Sequence, residues 1–173
     1  IQLLSSTNSE LLRVHSDHES NTFVGRLAGL NNIPSAVTSG QSITAFGSAA
    51  LENNISGYAS DAFGTGALAN NTIGVINCAI GYQSLFNNIS GSENTALGTD
   101  AGYSNNGNKN FYIGFHSGKK LSGTITGNRN MFIGYETAHK LTSGEDNTVI
   151  GYYAGHNITT GYLNTIIGNL AGN

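Results

Sequence analysis

The chain has 173 residues, of which 10% are charged, with a formal net charge of −3 and 24 glycines. That balance lacks the basic excess by which proteins grip nucleic acid, and no apolar run is long enough to span a bilayer. A Gly-, Asn- and Ser-rich composition can mean disorder, but here Ile, Leu and Phe recur in a fixed register that a disordered chain does not need.

Residues 1–20 stand apart from the rest of the chain. Ile1-Gln2-Leu3-Leu4 and Leu11-Leu12-Arg13-Val14 are apolar runs separated by Ser5–Glu10. They predict two short strands and a turn that cover the edge of the first coil. A helix from Thr7 with Glu10 closing a capping box is the alternative. The chain opens at Ile1 with no signal-peptide pattern and stops at Asn173 partway through a repeat, which reads as the limits of a fragment.

From Asn21 onward the sequence repeats. Anchor glycines fall at 25, 47, 64, 81, 98, 114, 134, 151 and 168, so the basic period is 17. A second glycine lies seven residues before each anchor from Gly47 on, at the turn between limbs. Repetition on this scale is the signature of a stacked solenoid. The segment before each anchor, as in Asn147-Thr148-Val149-Ile150-Gly151, is β-branched and apolar and predicts a strand.

The two residues before each anchor are both apolar (Ala45-Phe46, Ala62-Phe63, Tyr112-Ile113, Val149-Ile150), and neighbours on a strand point to opposite faces. Both faces therefore call for burial. The more uniform column next to the anchor (Val24, Phe46, Ile80, Leu97) is expected inside the coil, and the other face is expected to meet a second chain. Three residues after each anchor the side chain is always small, as at Ala28, Ser84 and Thr137, which fits a bend or a close approach. Asn pairs on the second limb, such as Asn53-Asn54 and Asn70-Asn71, are placed to form side-chain ladders. Nine coils at roughly 4.8 Å give a rod on the order of 40 Å long.

Insertions fall in one part of the repeat: five residues before Gly47, including Pro34, and three within Lys119–Thr126. Insertions confined to one segment map to loops on one face. The single cysteine, Cys78, occupies a slot that is Thr in five other repeats and reads as a small substitute for it.

Units such as Asn147–Gly155 (Asn-Thr-x-Ile-Gly-Tyr-x-Ala-Gly) and Ala67–Gly74 resemble the repeats of marine bacteriophage tail fibres and of large Bacteroidota surface proteins. The Ala79-Ile80-Gly81 ending is similar to the head repeats of YadA-like trimeric autotransporter adhesins, although the period here is longer. The resemblance covers about residues 21–173. It implies a parallel β-roll, usually trimeric, with a fibrous or adhesive role at a virion or bacterial surface.

No nucleophile triad, phosphate loop or nucleotide fingerprint occurs, so no catalytic, cofactor or metal site is assigned. Stacking does align Gln83, Asp100, His116, Glu136 and Tyr153, two residues after successive anchors. Such a column offers carboxylates for acid–base cleavage of a glycan or for a cation shared with His116. Tyr82, Phe115, Tyr135 and Tyr152 form an aromatic column suited to stacking on a sugar or against a neighbouring chain. Residues 109–140 carry +4 and the rest −7, with Lys119, Lys120, Arg129 and Lys140 in the basic part. These four, with Tyr135 and Tyr152, are the expected surface for a glycan or protein partner.

The expected molecule is all-β: a parallel β-roll or β-solenoid of about nine 17-residue coils, left-handed and homotrimeric, with residues 1–20 as cap and 21–173 as solenoid. Its expected role is a non-enzymatic fibre segment for host attachment, without cofactor, nucleic-acid partner or membrane insertion. A glycan-cleaving spike and an end-to-end homopolymer are the alternatives. An ice-binding solenoid fits less well, because Asp61, Cys78, Phe111 and Met131 interrupt the Thr column that a flat ice-facing ladder needs.

Overall fold

The structure, a computed structural model, describes residues 2–4, 10–34, 39–120 and 123–172. The Ser5–Ser9 turn with the capping-box alternative at Thr7, parts of both insertions (35–38 and 121–122) and Asn173 lie outside the described residues. Among the described residues there is no helix, and so none long and apolar enough to cross a membrane.

The fold is a β-solenoid. Strands β3 (Thr22–Val24), β4 (Ile43–Phe46), β5 (Ser60–Phe63), β6 (Cys78–Ile80), β7 (Thr95–Leu97), β8 (Phe111–Ile113), β9 (Met131–Ile133), β10 (Thr148–Ile150) and β11 (Thr165–Ile167) pair in parallel, each with the next. Register is uniform: Ala62 faces Ala79 and Ala79 faces Ala96. Before them, β1 (Gln2–Leu4) and β2 (Glu10–His15) form an antiparallel pair, and β2 runs antiparallel to β3. The His15 ring stacks on Phe23 at 4.9 Å, closing the first coil.

The expectation about which strand face is buried is reversed. The column next to the anchor points outward, with Phe46 55%, Ile80 41% and Leu97 45% exposed. The column before it (Phe23, Ala45, Ala62, Ala79, Ala96, Tyr112, Phe132, Val149) is wholly buried. Uniformity was a misleading guide, because this core is filled by two columns that compensate each other. Where the inner strand residue is Ala45, Ala62 or Ala79, the residue four after the anchor is Leu51, Leu68 or Leu85, also fully buried. Where it is Phe23, Tyr112 or Val149, that later position is Gly29, Gly118 or Gly155. A side chain at Gly29 or Gly118 would run into the ring of Phe23 or Tyr112. The interior is close-packed, so across these two slots a coil generally holds one large group.

The small column three after the anchor is buried as well and forms a turn. Ala67 N–H, for example, donates to Gly64 O at 3.2 Å. Anchor glycines hold φ of +122 to +141°, and a Cβ on Gly81 would sit 2.5 Å from Gly98 O of the next coil. Only Gly fits there.

Two buried amide ladders stitch the coils. Asn71 Nδ2 donates to Asn54 Oδ1 (2.8 Å) and Asn88 Nδ2 to Asn71 Oδ1 (2.9 Å), and each also reaches a turn-glycine carbonyl. A second ladder runs Asn94 to Asn77, Asn130 to Asn110, Asn147 to Asn130 and Asn164 to Asn147. Buried amides this well paired incur little desolvation penalty and fix the axial register.

Candidate functional site

Each coil turns after its anchor through two left-handed residues, two and four positions on. In the Gly134 coil these are Glu136 (φ 49°) and Ala138 (φ 49°). The curl brings the side chains two and five after the anchor together. His116 and Lys119 meet at 3.3 Å, and the Tyr153 and His156 rings at 5.3 Å. Stacking then builds a ridge along the rod. The position two after the anchor is thus a turn residue, where the repeat alone suggests a strand face.

The ridge is polar and partly buried from Asp100 to His156. Asp100 Oδ2 accepts from Lys119 Nζ at 2.7 Å and lies 3.2 Å from His116 Nε2. His116 Nδ1 in turn lies 3.6 Å from Glu136 Oε1. Asp100 is only 7% exposed, and its Oδ1 is buried without a hydrogen-bond partner. Burial first of all raises the pKa of the Tyr135 and Tyr153 phenols, and the neighbouring Glu136 carboxylate raises each further. The His139 and His156 rings stack at 5.2 Å, and burial first of all lowers the pKa of His139.

Beside this ridge runs an aromatic ladder. Phe115 stacks on Tyr135 at 5.1 Å and Tyr135 on Tyr152 at 5.3 Å, while Phe115 also packs on His116 at 3.6 Å. Phe115, Tyr135 and Tyr152 are 40%, 39% and 53% exposed, so their faces and edges reach solvent. An exposed ladder of near-parallel rings bordered by carboxylates and imidazoles is chemically suited to a sugar ring, with one apolar face and hydroxyls at its rim.

The expected surface residues separate into groups. Tyr135, Tyr152 and Lys119 belong to the ladder and the ridge. Lys119 is held by Asp100 and lies over the Tyr103 ring at 5.5 Å. Arg129 sits in a different column, where Nε binds Asp146 Oδ1 and one terminal nitrogen reaches Glu145 Oε2, both at 2.7 Å. Those bonds raise the guanidinium pKa still further and lower that of Asp146. Lys140 donates to Asn157 Oδ1 at 2.7 Å. Lys120 is half-buried, with its carbonyl accepting from Ser104 Oγ. Lys119 and Arg129 are thus paired with acids from adjacent coils, as is Lys109 with Glu93. Cys78 is a half-buried free thiol on the outward strand face between Asp61 and Thr95, and burial pushes its pKa up.

A separate open groove of about 480 Å³ follows an outer amide ladder, Asn31–Asn53–Asn70–Asn87, and is walled by Ile55, Thr72 and Ile89.

No family model, curated protein or solved structure matches the chain.

Proposed function

We propose that this chain is a stiff segment of an extracellular attachment fibre, on a virion or a bacterial surface, in which three copies pack their outward strand faces together. The observation that carries this reading is the exposed apolar column Phe46–Phe63–Ile80–Leu97, continued by the half-buried Ile113, Ile133 and Ile150 and the 65%-exposed Ile167. Isolated exposed apolar residues are ordinary, but an unbroken line of them along one sheet face marks an interaction surface. The face lies on straight, regular strands, and copies of a regular surface match one another at every coil. The mechanical role follows from the stacking: amide ladders and a continuous parallel sheet resist bending. The aromatic ladder at Phe115, Tyr135 and Tyr152 is the surface we assign to a cell-surface glycan or protein.

Sedimentation equilibrium tests the assembly. The expected species at micromolar concentration is a trimer, which Leu97→Asp dissociates without loss of the β circular-dichroism signal. A monomeric unmodified chain refutes the packing. An open-ended series of sizes would instead favour end-to-end assembly through the edge of β11.

A second reading, a glycan-cleaving spike, draws on the closeness of Asp100, His116 and Glu136. Its weakness is that both carboxylates face His116 and that Lys119 also binds Asp100, so both acids are already engaged with neighbouring side chains. Release of reducing ends from a capsular polysaccharide, abolished by Glu136→Gln, would establish it over the structural reading.

A further inference from the structure

We propose that Glu136, His139 and His156 form a binding site for a divalent transition-metal ion of the zinc class. One carboxylate oxygen of Glu136 and one ring nitrogen from each histidine lie within 4.8 Å of one another. All three side chains are half-buried, so an ion there would be partly shielded and still reachable from solvent.

The fold brings the donors together by two separate routes. Glu136 and His139 share one coil, and the left-handed turn residues Glu136 and Ala138 curl them onto the same ridge. His156 comes from the next coil, in the same slot as His139, and the bond from Ala138 N–H to Ala154 O (3.0 Å) holds the two turns in register. The two imidazoles are stacked at 5.2 Å with ring planes only 7° apart.

In a tetrahedral site, metal–nitrogen and metal–oxygen bonds of about 2.0–2.2 Å place two ligand atoms of one ion ~3.3–3.6 Å apart. Ligand atoms up to 4.8 Å apart thus need to close by up to about 1.2–1.5 Å, within reach of side-chain rotation. The backbone need not move. Two imidazoles and a carboxylate form a borderline donor set that favours zinc, nickel or copper over magnesium or calcium. Three protein ligands leave a fourth position for water or an incoming anion.

Two further features fit a ligand role. His139 Nδ1 is buried without a hydrogen-bond partner, so this ring is under-satisfied in the chain alone. Glu136 also has a partner beyond the site, since its Oε1 lies 3.6 Å from His116 Nδ1, as carboxylate ligands generally have in an outer shell. The site lies within one chain and is independent of the trimer.

The test is titration of the metal-free chain with Zn²⁺ by isothermal calorimetry, with Cu²⁺ electron paramagnetic resonance as the second measurement. The expected result is one saturable ion per chain. His139→Ala, His156→Ala and Glu136→Gln should each weaken binding at least about tenfold, and His18→Ala should leave it unchanged. The Cu²⁺ spectrum should show coupling to two imidazole nitrogens, reduced to one in either histidine variant. Unsaturable binding in the millimolar range, or affinity and nitrogen coupling that survive both histidine substitutions, overturns the proposal. Glu136→Gln keeps the side-chain shape, so a folded variant with undiminished affinity counts against the site even if a histidine variant fails to fold.

Discussion

The compensating core columns can be tested by moving them. The Gly98 coil is the exception to one large group per coil, since it carries Ala96 and Gly102, both small. It lies between Leu85 and Tyr112, and a Cβ on Gly102 would be 2.7 Å from Tyr112 Cδ2 and 2.9 Å from Leu85 Cδ2. This small coil is where the large group switches from the position after the turn to the position on the strand. Tyr112→Ala should therefore open a cavity and Gly102→Leu alone should overpack. Together they should shift the switch one coil along, leaving the Gly114 coil as the one with two small residues.

Removing a fully buried aromatic costs about 3–5 kcal/mol, and overpacking adds about 1–3 kcal/mol or more in the other single variant. Leu at 102 would occupy φ near 61°, close to the 49–52° at which Leu51, Leu68 and Leu85 already sit. The lost bond from Tyr112 Oη to Asn105 Oδ1 leaves that oxygen with Asn110 Nδ2 at 3.1 Å. The double variant should thus be destabilised by only about 1–3 kcal/mol, giving a favourable coupling of roughly 3 kcal/mol. Urea unfolding followed by circular dichroism measures all four corners of the cycle. Additive effects, or a double variant worse than the sum of the singles, refute the compensation.

Two other outcomes concern the ladders and the ion pairs. Asn88→Ala strips Asn71 Oδ1 of its donor inside the core and should cost about 2–4 kcal/mol, whereas Asn70→Ala on the solvent-facing ladder should cost under about 1 kcal/mol, both read by urea midpoint. The Asp146 pKa is lowered in the folded chain, so its pairing with Arg129 stabilises the fold above the ordinary carboxylate pKa of about 4. That contribution disappears as pH falls through the lower folded value. Thermal melts should show Arg129→Ala less stable than the parent at neutral pH and equal to it at strongly acid pH, and a constant difference across the range would contradict the assignment.

The sequence made the coil period, the strands and the amide ladders legible, because each recurs in a fixed slot and stacking turns a slot into a column. It misassigned the strand faces. Both residues of Ala79-Ile80 are apolar, so hydrophobicity could not choose between them. The signal that could is a correlation between slots: Ala on the strand goes with Leu after the turn in three coils of four, and Phe or Tyr goes with Gly or Ala. The ridge was half-visible for a similar reason. Asp100, His116 and Glu136 were aligned as one column, but the alliance of Glu136 with His139 joins two columns through a left-handed turn, and at Glu136 that turn is made without glycine. Charge summed along the chain did not reveal the pairing of Arg129 with Glu145 and Asp146 one coil away.

These columns divide the work of the molecule. The anchor glycines, the buried amides and the two compensating core columns fix the coil, and a change in any of them is felt by the coils above and below. The slots one, two and five after the anchor touch the backbone scaffold less. Across successive coils the slot one after the anchor passes from Arg26 through Thr65 to Tyr152, and the slot five after it from Glu52 through Phe86 to His156, while strand register stays constant. Side chains there are set about 4.8 Å apart by the parallel ladder, close enough for rings to stack and for ligands from two coils to approach one ion. Chemistry on this rod is therefore written between coils. A single substitution on the ridge should alter a binding surface while leaving the stack standing, which is the opposite of its effect in the core.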